Sequence, residues 1–245
     1  MGRLIAITSG KGGVGKSSVS VQLATALTDM GHSVLLIDLD AGMRCLDLML
    51  NLSDKLLFDL GDVLEGGKAV EDAILTDQKR KGLSFIAAPL KEKINPDKLR
   101  RFSAEATELY DFVILDFPAG AVDELYEKLP RYTEALVVCN ADAVSLRDAS
   151  LIGSDLKKLK LMSVRLIMNR VSFENMRRGV TANIDEAIDS CGIRLIGVIP
   201  QSMDLYLAGC SGSPLNKKSK TAKAFNRLAK RLLGYDIPLE KLKKM

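Results

Sequence analysis

No tryptophan occurs among the 245 residues, and aromatic side chains make up only 5%. Proteins that grip single strands of nucleic acid stack bases on aromatic rings, and this chain offers little to stack on. Its single histidine, His32, and its four cysteines, Cys45, Cys139, Cys191 and Cys210, are scattered, with no Cys-x-x-Cys pair. A zinc or iron–sulfur centre built from ligands close in sequence is therefore not expected. Lone thiols with mostly apolar flanks read instead as core positions of a reduced, cytoplasmic protein. No apolar run approaches the ~20 residues of a membrane-spanning helix. The apolar stretch after Arg3 is short and runs into a Gly/Lys cluster, so a cleaved secretion signal is not expected either.

What remains is an ordinary globular composition, 47% hydrophobic and 27% charged, which argues against disorder. The length suits one sizeable domain. The net charge of +4 is unevenly placed: ten basic and two acidic residues lie from Lys217 onward. A basic tail on an acidic body points to an anionic partner such as lipid or nucleic acid, or else to a last helix with a solvated basic face.

Seven short runs rich in β-branched residues or leucine punctuate the chain, at residues 4–7, 34–37, 83–86, 112–115, 135–138, 164–167 and 195–199. Most are continuously apolar, the pattern of strands buried on both faces in a parallel sheet. Helical stretches lie between them, including 17–30 with Gly31 at the C′ position, 96–109, 145–159 and 181–190. This order predicts an α/β fold, a doubly wound, mostly parallel sheet of about seven strands. Residues 1–235 read as one domain and 236–245 as a short basic tail; 209–213 (GCSGS) reads as a loop. Ligands of such sheets bind beyond the carboxyl ends of the strands.

Directly after the first run comes Gly10-Lys11-Gly12-Gly13-Val14-Gly15-Lys16-Ser17-Ser18. Gly10, Gly15, Lys16 and Ser17 satisfy G-x-x-x-x-G-K-[ST] between a strand and a helix. Glycines let successive N–H groups point at phosphate oxygens, and the helix adds its positive end. Lys16 supplies a charge to the β- and γ-phosphates and Ser17 an oxygen for Mg²⁺. Lys11 is a second lysine that an ordinary phosphate loop does not need. It is either solvated or reaches a phosphate across a dimer interface.

This loop resembles the deviant Walker A motif of the MinD/ParA family of P-loop ATPases, of the SIMIBI type. Asp38-Leu39-Asp40-Ala41-Gly42-Met43-Arg44-Cys45-Leu46-Asp47 resembles the first switch of that family, and Asp116-Phe117-Pro118-Ala119-Gly120 the second. Ser145-Leu146-Arg147-Asp148, Met168-Asn169-Arg170 and Gly197-Val198-Ile199-Pro200 have counterparts too. The Arg-x-Leu-Asp step and Pro-Ala-Gly favour the MinD branch. The resemblance implies ATP/ADP and Mg²⁺ as cofactors and an ATP-dependent homodimer in which Lys11 reaches the partner's nucleotide. It also implies a protein activator of hydrolysis. From position, Asp40 is expected to orient the attacking water, Asp38 to support Mg²⁺ or the switch, and Asp116 to hold Mg²⁺ through water. Each of these aspartates taken alone equally suits a helix cap or turn. Asn169, with Arg170 beside it, resembles the residue that meets the adenine edge, with the backbone after Pro200 opposite. Cys45, Phe117, Val122, Asp123 and 140–142 depart from the family pattern.

Residues 221–233 carry Phe225, Leu228 and Leu232 on one face and lysines and arginines elsewhere, which suits either a last helix packed on the sheet or a helix lying on anionic lipid. Beyond it, Leu239, Leu242 and Met245 fall on one face, worth only a few kcal/mol at ~0.8 kcal/mol per buried CH₂. Dimerisation would double such anchors. The expected role is a dimerising switch ATPase in the spatial regulation of cell division, cytoplasmic and peripheral to the inner membrane face. The alternatives are a partitioning ATPase that binds DNA or a flagellar placement ATPase on the same fold. A carboxylate-activating enzyme, an iron–sulfur scaffold ATPase and a non-hydrolysing adaptor are further alternatives.

Overall fold

The computed structural model describes residues 1–90 and 93–239. All seven apolar runs are strands: β1 (Arg3–Thr8), β2 (Val34–Asp38), β4 (Leu83–Ile86), β5 (Phe112–Asp116), β6 (Glu134–Cys139), β7 (Ser163–Val171) and β8 (Arg194–Pro200). An eighth, β3 (Leu75–Thr76), is only two residues long and too short to show a period in sequence. The order across the sheet is β3-β4-β2-β5-β1-β6-β7-β8. Every pairing is parallel except that of β3, which caps the β4 edge antiparallel.

The doubly wound prediction holds because successive side chains of each buried strand feed opposite layers. Ile5 and Ile7 point into the layer that holds helices Lys16–Thr28 and Lys220–Leu232. Leu4 and Ala6 point into the other, with helices Pro96–Leu109 and Ala143–Lys158. From β1 the chain moves out to one side for β2 and later to the other for β6. The loop after β1 therefore sits where the winding reverses, at the carboxyl edge of the sheet.

Helix ends follow their local chemistry. Gly31, at φ +92°, ends the first helix: its N–H donates to the Thr28 carbonyl and that of His32 to the Leu27 carbonyl, the paired bonds of a Schellman stop. The segment 209–213 differs from the loop reading. Gly209, Cys210 and Ser211 complete a helix, Met203–Ser211, and only Gly212, at φ +62°, ends it.

The last helix, Lys220–Leu232, is capped by Ser219, whose hydroxyl accepts the Ala222 N–H at 3.1 Å. Ala224, Phe225, Leu228, Ala229 and Leu232 are buried against the first helix and β8. Gly197 in β8 has no side chain because Leu228 occupies the space; a Cβ there would lie 2.8 Å from Leu228 Cδ1. This apolar face is thus spent inside the fold and not on a lipid surface, while Lys220, Lys223 and Lys230 stay exposed. Arg231 fastens the chain that follows, donating to the carbonyls of Ile237 (2.8 Å), Pro238 (2.9 Å) and Ile196 (3.1 Å). Leu242 and Met245 lie outside the described residues.

Candidate nucleotide site

Residues 9–15 form a loop between β1 and the helix that opens at Lys16. Gly15 has φ +88°, and a Cβ there would come within 2.4 Å of Asn169 Nδ2. Gly10 is fixed by a different approach: a Cβ would meet the Asp148 carbonyl oxygen at 2.5 Å. Glycine at these two positions is demanded by backbone and neighbours together. Gly12 and Gly13 are exposed, and a Cβ at either would meet nothing within 4 Å.

Lys16 is only 7% exposed and its Nζ lies 3.0 Å from Asp116 Oδ2. Ser17 Oγ is 3.4 Å from the same nitrogen. Asp116, fully buried at the end of β5, accepts a hydrogen bond from Ser20 Oγ at its other oxygen, 2.6 Å away. Asp116 Oδ2 has no aligned hydrogen-bond donor despite the nearby ammonium. A buried carboxylate oxygen left this way is a site waiting for a donor or a hydrated cation.

Asp38 ends β2 in register with Asp116. Its oxygens accept the backbone N–H of Asp40 (2.9 Å) and those of Cys45 and Leu46 (3.3 Å each), so it ties down the segment that carries Asp40. Burial first, and the Asp116 charge second, push its pKa up to about 6 from 3.8. With the folded pKa above the unfolded one, the protonated form favours folding. That contribution is complete below about pH 4 and is lost as pH rises through about 6. In nucleotide-free protein, the stability of wild type relative to Asp38→Asn is expected to fall by about 1–2 kcal/mol between pH 5 and 7.5 in urea unfolding. A difference that does not move with pH would refute this account. Asp40 is half-buried, and burial raises its pKa as well, partly offset by Lys16.

The second switch is laced to β1. Phe117 N–H donates to the Ile7 carbonyl and Gly120 N–H to that of Ser9. The Phe117 ring is buried and stacks on Tyr126 at 4.0 Å, and the Tyr126 hydroxyl bonds Thr8 Oγ1. Phe117, a departure from the family pattern, is part of the core. Asp123, another departure, caps the short helix Glu124–Glu127.

At the far side of the loop β7 carries a bulge, with Arg170 at φ +53°. Asn169 Nδ2 donates to the Val14 carbonyl at 2.8 Å, bracing the phosphate loop from behind, while its Oδ1 is buried without a partner. Asn169, Arg170 and Pro200 line one pocket of about 570 Å³ together with Gly15, Ser18 and Tyr206. The sequence-predicted residues therefore fall in two adjoining groups: Lys16, Ser17, Asp38, Asp40 and Asp116 at the loop floor, and Asn169, Arg170 and Pro200 beside it. Lys11 stands apart at the rim, its Nζ 3.5 Å from Asp142 Oδ1 in a pair more than 40% exposed on both sides.

Sequence reasoning passed over Ser20 and Tyr126, and read Asp142 only as a departure from the family pattern, not as the partner of Lys11. Ser20 had a usable signal, since it follows Lys16 by four residues and so shares its helix face. Tyr126 had none. Among the described residues, no group of three His, Cys, Asp or Glu side chains converges to hold a metal ion. Also among the described residues, no helix is long and apolar enough to cross a membrane.

A glycine cradle at the reversal of a doubly wound parallel sheet, floored by a lysine and an aspartate from the next strand, defines a P-loop nucleotide-binding protein. Comparison with known proteins narrows the class. The chain belongs to the CobQ/CobB/MinD/ParA nucleotide-binding domain family, whose description matches residues 5–215. It is similar to the septum site-determining protein MinD of Bacillus subtilis, 33% identical over 99% of this chain and 93% of that protein. Among solved structures it resembles MinD in the MinC:MinD cell division protein complex of Aquifex aeolicus, with a TM-score of 0.89, 32% identity and 98% of each chain covered. It also resembles the septum site-determining protein MinD of Pyrococcus horikoshii complexed with Mg-ADP, with a TM-score of 0.82, 31% identity, and 97% of this chain and 100% of that one covered.

Proposed function

We propose that this chain is a MinD-type switch ATPase acting in the placement of the division septum. It takes ATP with Mg²⁺ and releases ADP and phosphate. The observation that carries the reading is the contrast between the two lysines of one loop. Lys16 is buried against Asp116, as a phosphate ligand at the floor must be. Lys11 is half-exposed at the rim and held only by a solvent-accessible ion pair with Asp142. Such a pair is worth about 0–1 kcal/mol and is readily given up.

In this reading the triphosphate lies along the N–H groups of residues 12–16 and draws Lys16 away from Asp116. Ser17, and Asp116 through water, would hold Mg²⁺, which would supply positive charge against the phosphates. Asp40, braced by Asp38 through the intervening backbone, orients the attacking water. Its raised pKa makes it a better proton acceptor than an ordinary aspartate. The adenine enters the pocket beside Asn169, Arg170 and Pro200. Lys11 swings out to the nucleotide of a second copy, and hydrolysis removes the group that joins the two. By analogy with the MinC:MinD complex, a protein partner docks on this chain. The exposed basic residues near the carboxyl end favour an anionic membrane surface.

The test is phosphate release and molecular mass with Mg-ATP and with Mg-ADP. Turnover and a dimer specific to ATP are expected. A protein that binds neither nucleotide fails the proposal. Co-sedimentation with anionic liposomes is expected with ATP only; retention on DNA instead would favour a partitioning role.

A further inference from the structure

Ser20 sits one turn beyond Lys16 on the helix that opens the site, and its side chain is fully buried. Its Oγ has two acceptors within reach, Asp116 Oδ1 at 2.6 Å and the Lys16 carbonyl at 3.2 Å. A hydroxyl has one proton to give, and the shorter bond to the charged oxygen is the stronger. Among the described residues, no other hydrogen bond reaches either carboxylate oxygen of Asp116; the remaining contact is the Lys16 ammonium on Oδ2. Asp116 is therefore held by two restraints of different kinds. One is a long flexible side chain. The other is a short hydroxyl fixed to a packed helix turn.

We propose that Ser20 is the positioning residue of Asp116: it keeps Oδ1 in place so that Oδ2 stays aimed at the phosphate loop when Lys16 moves to the nucleotide. This role rests on the proposed function and extends it. Without the hydroxyl, Oδ1 loses the one hydrogen bond the described residues give it, and the carboxylate is free to turn about its stem. Oδ2 would then no longer be held toward the metal's water shell, while the phosphate contacts of the loop and Lys16 are untouched. Partners that orient ligands in this way carry much of a metal site's affinity.

The test uses Ser20→Ala in the full chain, since alanine is the best helix former and adds no volume. Two readouts are compared with wild type: the Mg²⁺ concentration for half-maximal ATP turnover, and binding of a fluorescent ADP analogue in EDTA and across an Mg²⁺ titration. The half-saturating Mg²⁺ concentration is expected to rise about 10- to 100-fold in both, with analogue binding in EDTA unchanged. Ser20→Thr, which keeps the hydroxyl, is expected to restore the wild-type requirement and serves as the second variant. In an Asp116→Ala background, Ser20→Ala is expected to add no further shift, because it acts through that carboxylate. An unchanged Mg²⁺ requirement overturns the role of Ser20, as does a parallel loss of binding in EDTA, which would mark a structural part only. If wild type itself binds nucleotide without regard to Mg²⁺, the proposed function falls, and this role with it.

Discussion

Lys11→Ala is expected to keep ATP affinity near that of wild type and to lose turnover by about 10³-fold, some 4 kcal/mol of transition-state stabilisation. The affinity survives because the cradle is built from backbone N–H groups and Lys16, none of which depends on Lys11. The fold survives because, among the described residues, the one ion pair lost, with Asp142, is open to solvent. Asp142 keeps its other task, accepting the Ser145 N–H at 3.0 Å to cap the helix Ala143–Lys158. In the proposed reaction the turnover does not survive, because a cation that reached the phosphates from a second copy would act only as charge builds between them. Single-turnover phosphate release beside equilibrium ATP binding separates the two quantities. Unchanged turnover per site would remove Lys11 from the chemistry, and a large loss of affinity would place it in the cradle of its own chain. Adding active-site-blocked wild type to the variant sharpens the result. A mixed dimer then presents a wild-type Lys11 to the variant's nucleotide, and turnover should recover at those sites.

Asp40→Ala is expected to slow hydrolysis by about 10²- to 10⁴-fold while the ATP-bound dimer accumulates. Asp40 is half-buried at the start of a turn in which its carbonyl accepts the N–H groups of Met43 and Arg44. Those backbone bonds remain in the variant. Asp38 continues to hold residues 40, 45 and 46 by their N–H groups. The loop that carries the water-orienting group thus stays in place and only the group is removed. Light scattering with Mg-ATP reads the outcome: a stable dimer with little phosphate release supports the role, and a persistent monomer contradicts it. Together with Lys11→Ala, this distinguishes a residue that activates water from one that answers the charge on the phosphates.

The sheet was legible because its strands are buried on both faces and so read as continuous apolar runs. Leu75–Thr76 was not, since two residues carry no period. The phosphate loop was legible because its glycines, lysine and serine meet constraints that are local in sequence. The aspartates at the ends of β2 and β5 could be placed by strand position, but not their partners. That Asp38 spends both oxygens on backbone N–H groups, and that Asp116 leans on Ser20, depends on contacts between elements far apart in the chain. Phe117 looked like a departure within a switch and is a core ring stacked on Tyr126, a relation no spacing reveals. The terminal helix showed its two faces plainly. Whether the apolar face met the sheet or a lipid surface was not legible, because it depends on Leu228 fitting over Gly197 in β8, a contact between separate elements.

The terminal helix and the helix that begins at Lys16 share one buried layer, in which Phe225 and Leu228 pack among the side chains of the first helix and β8. Interiors packed to this density yield little under load. Arg231 clamps Ile237 and Pro238 to the helix end and, through Ile196, to the β8 backbone. A load applied at Pro238 is therefore carried through a stiff mount and not through a swivel, and turns the last helix, β8 and the helix that opens the phosphate cradle together.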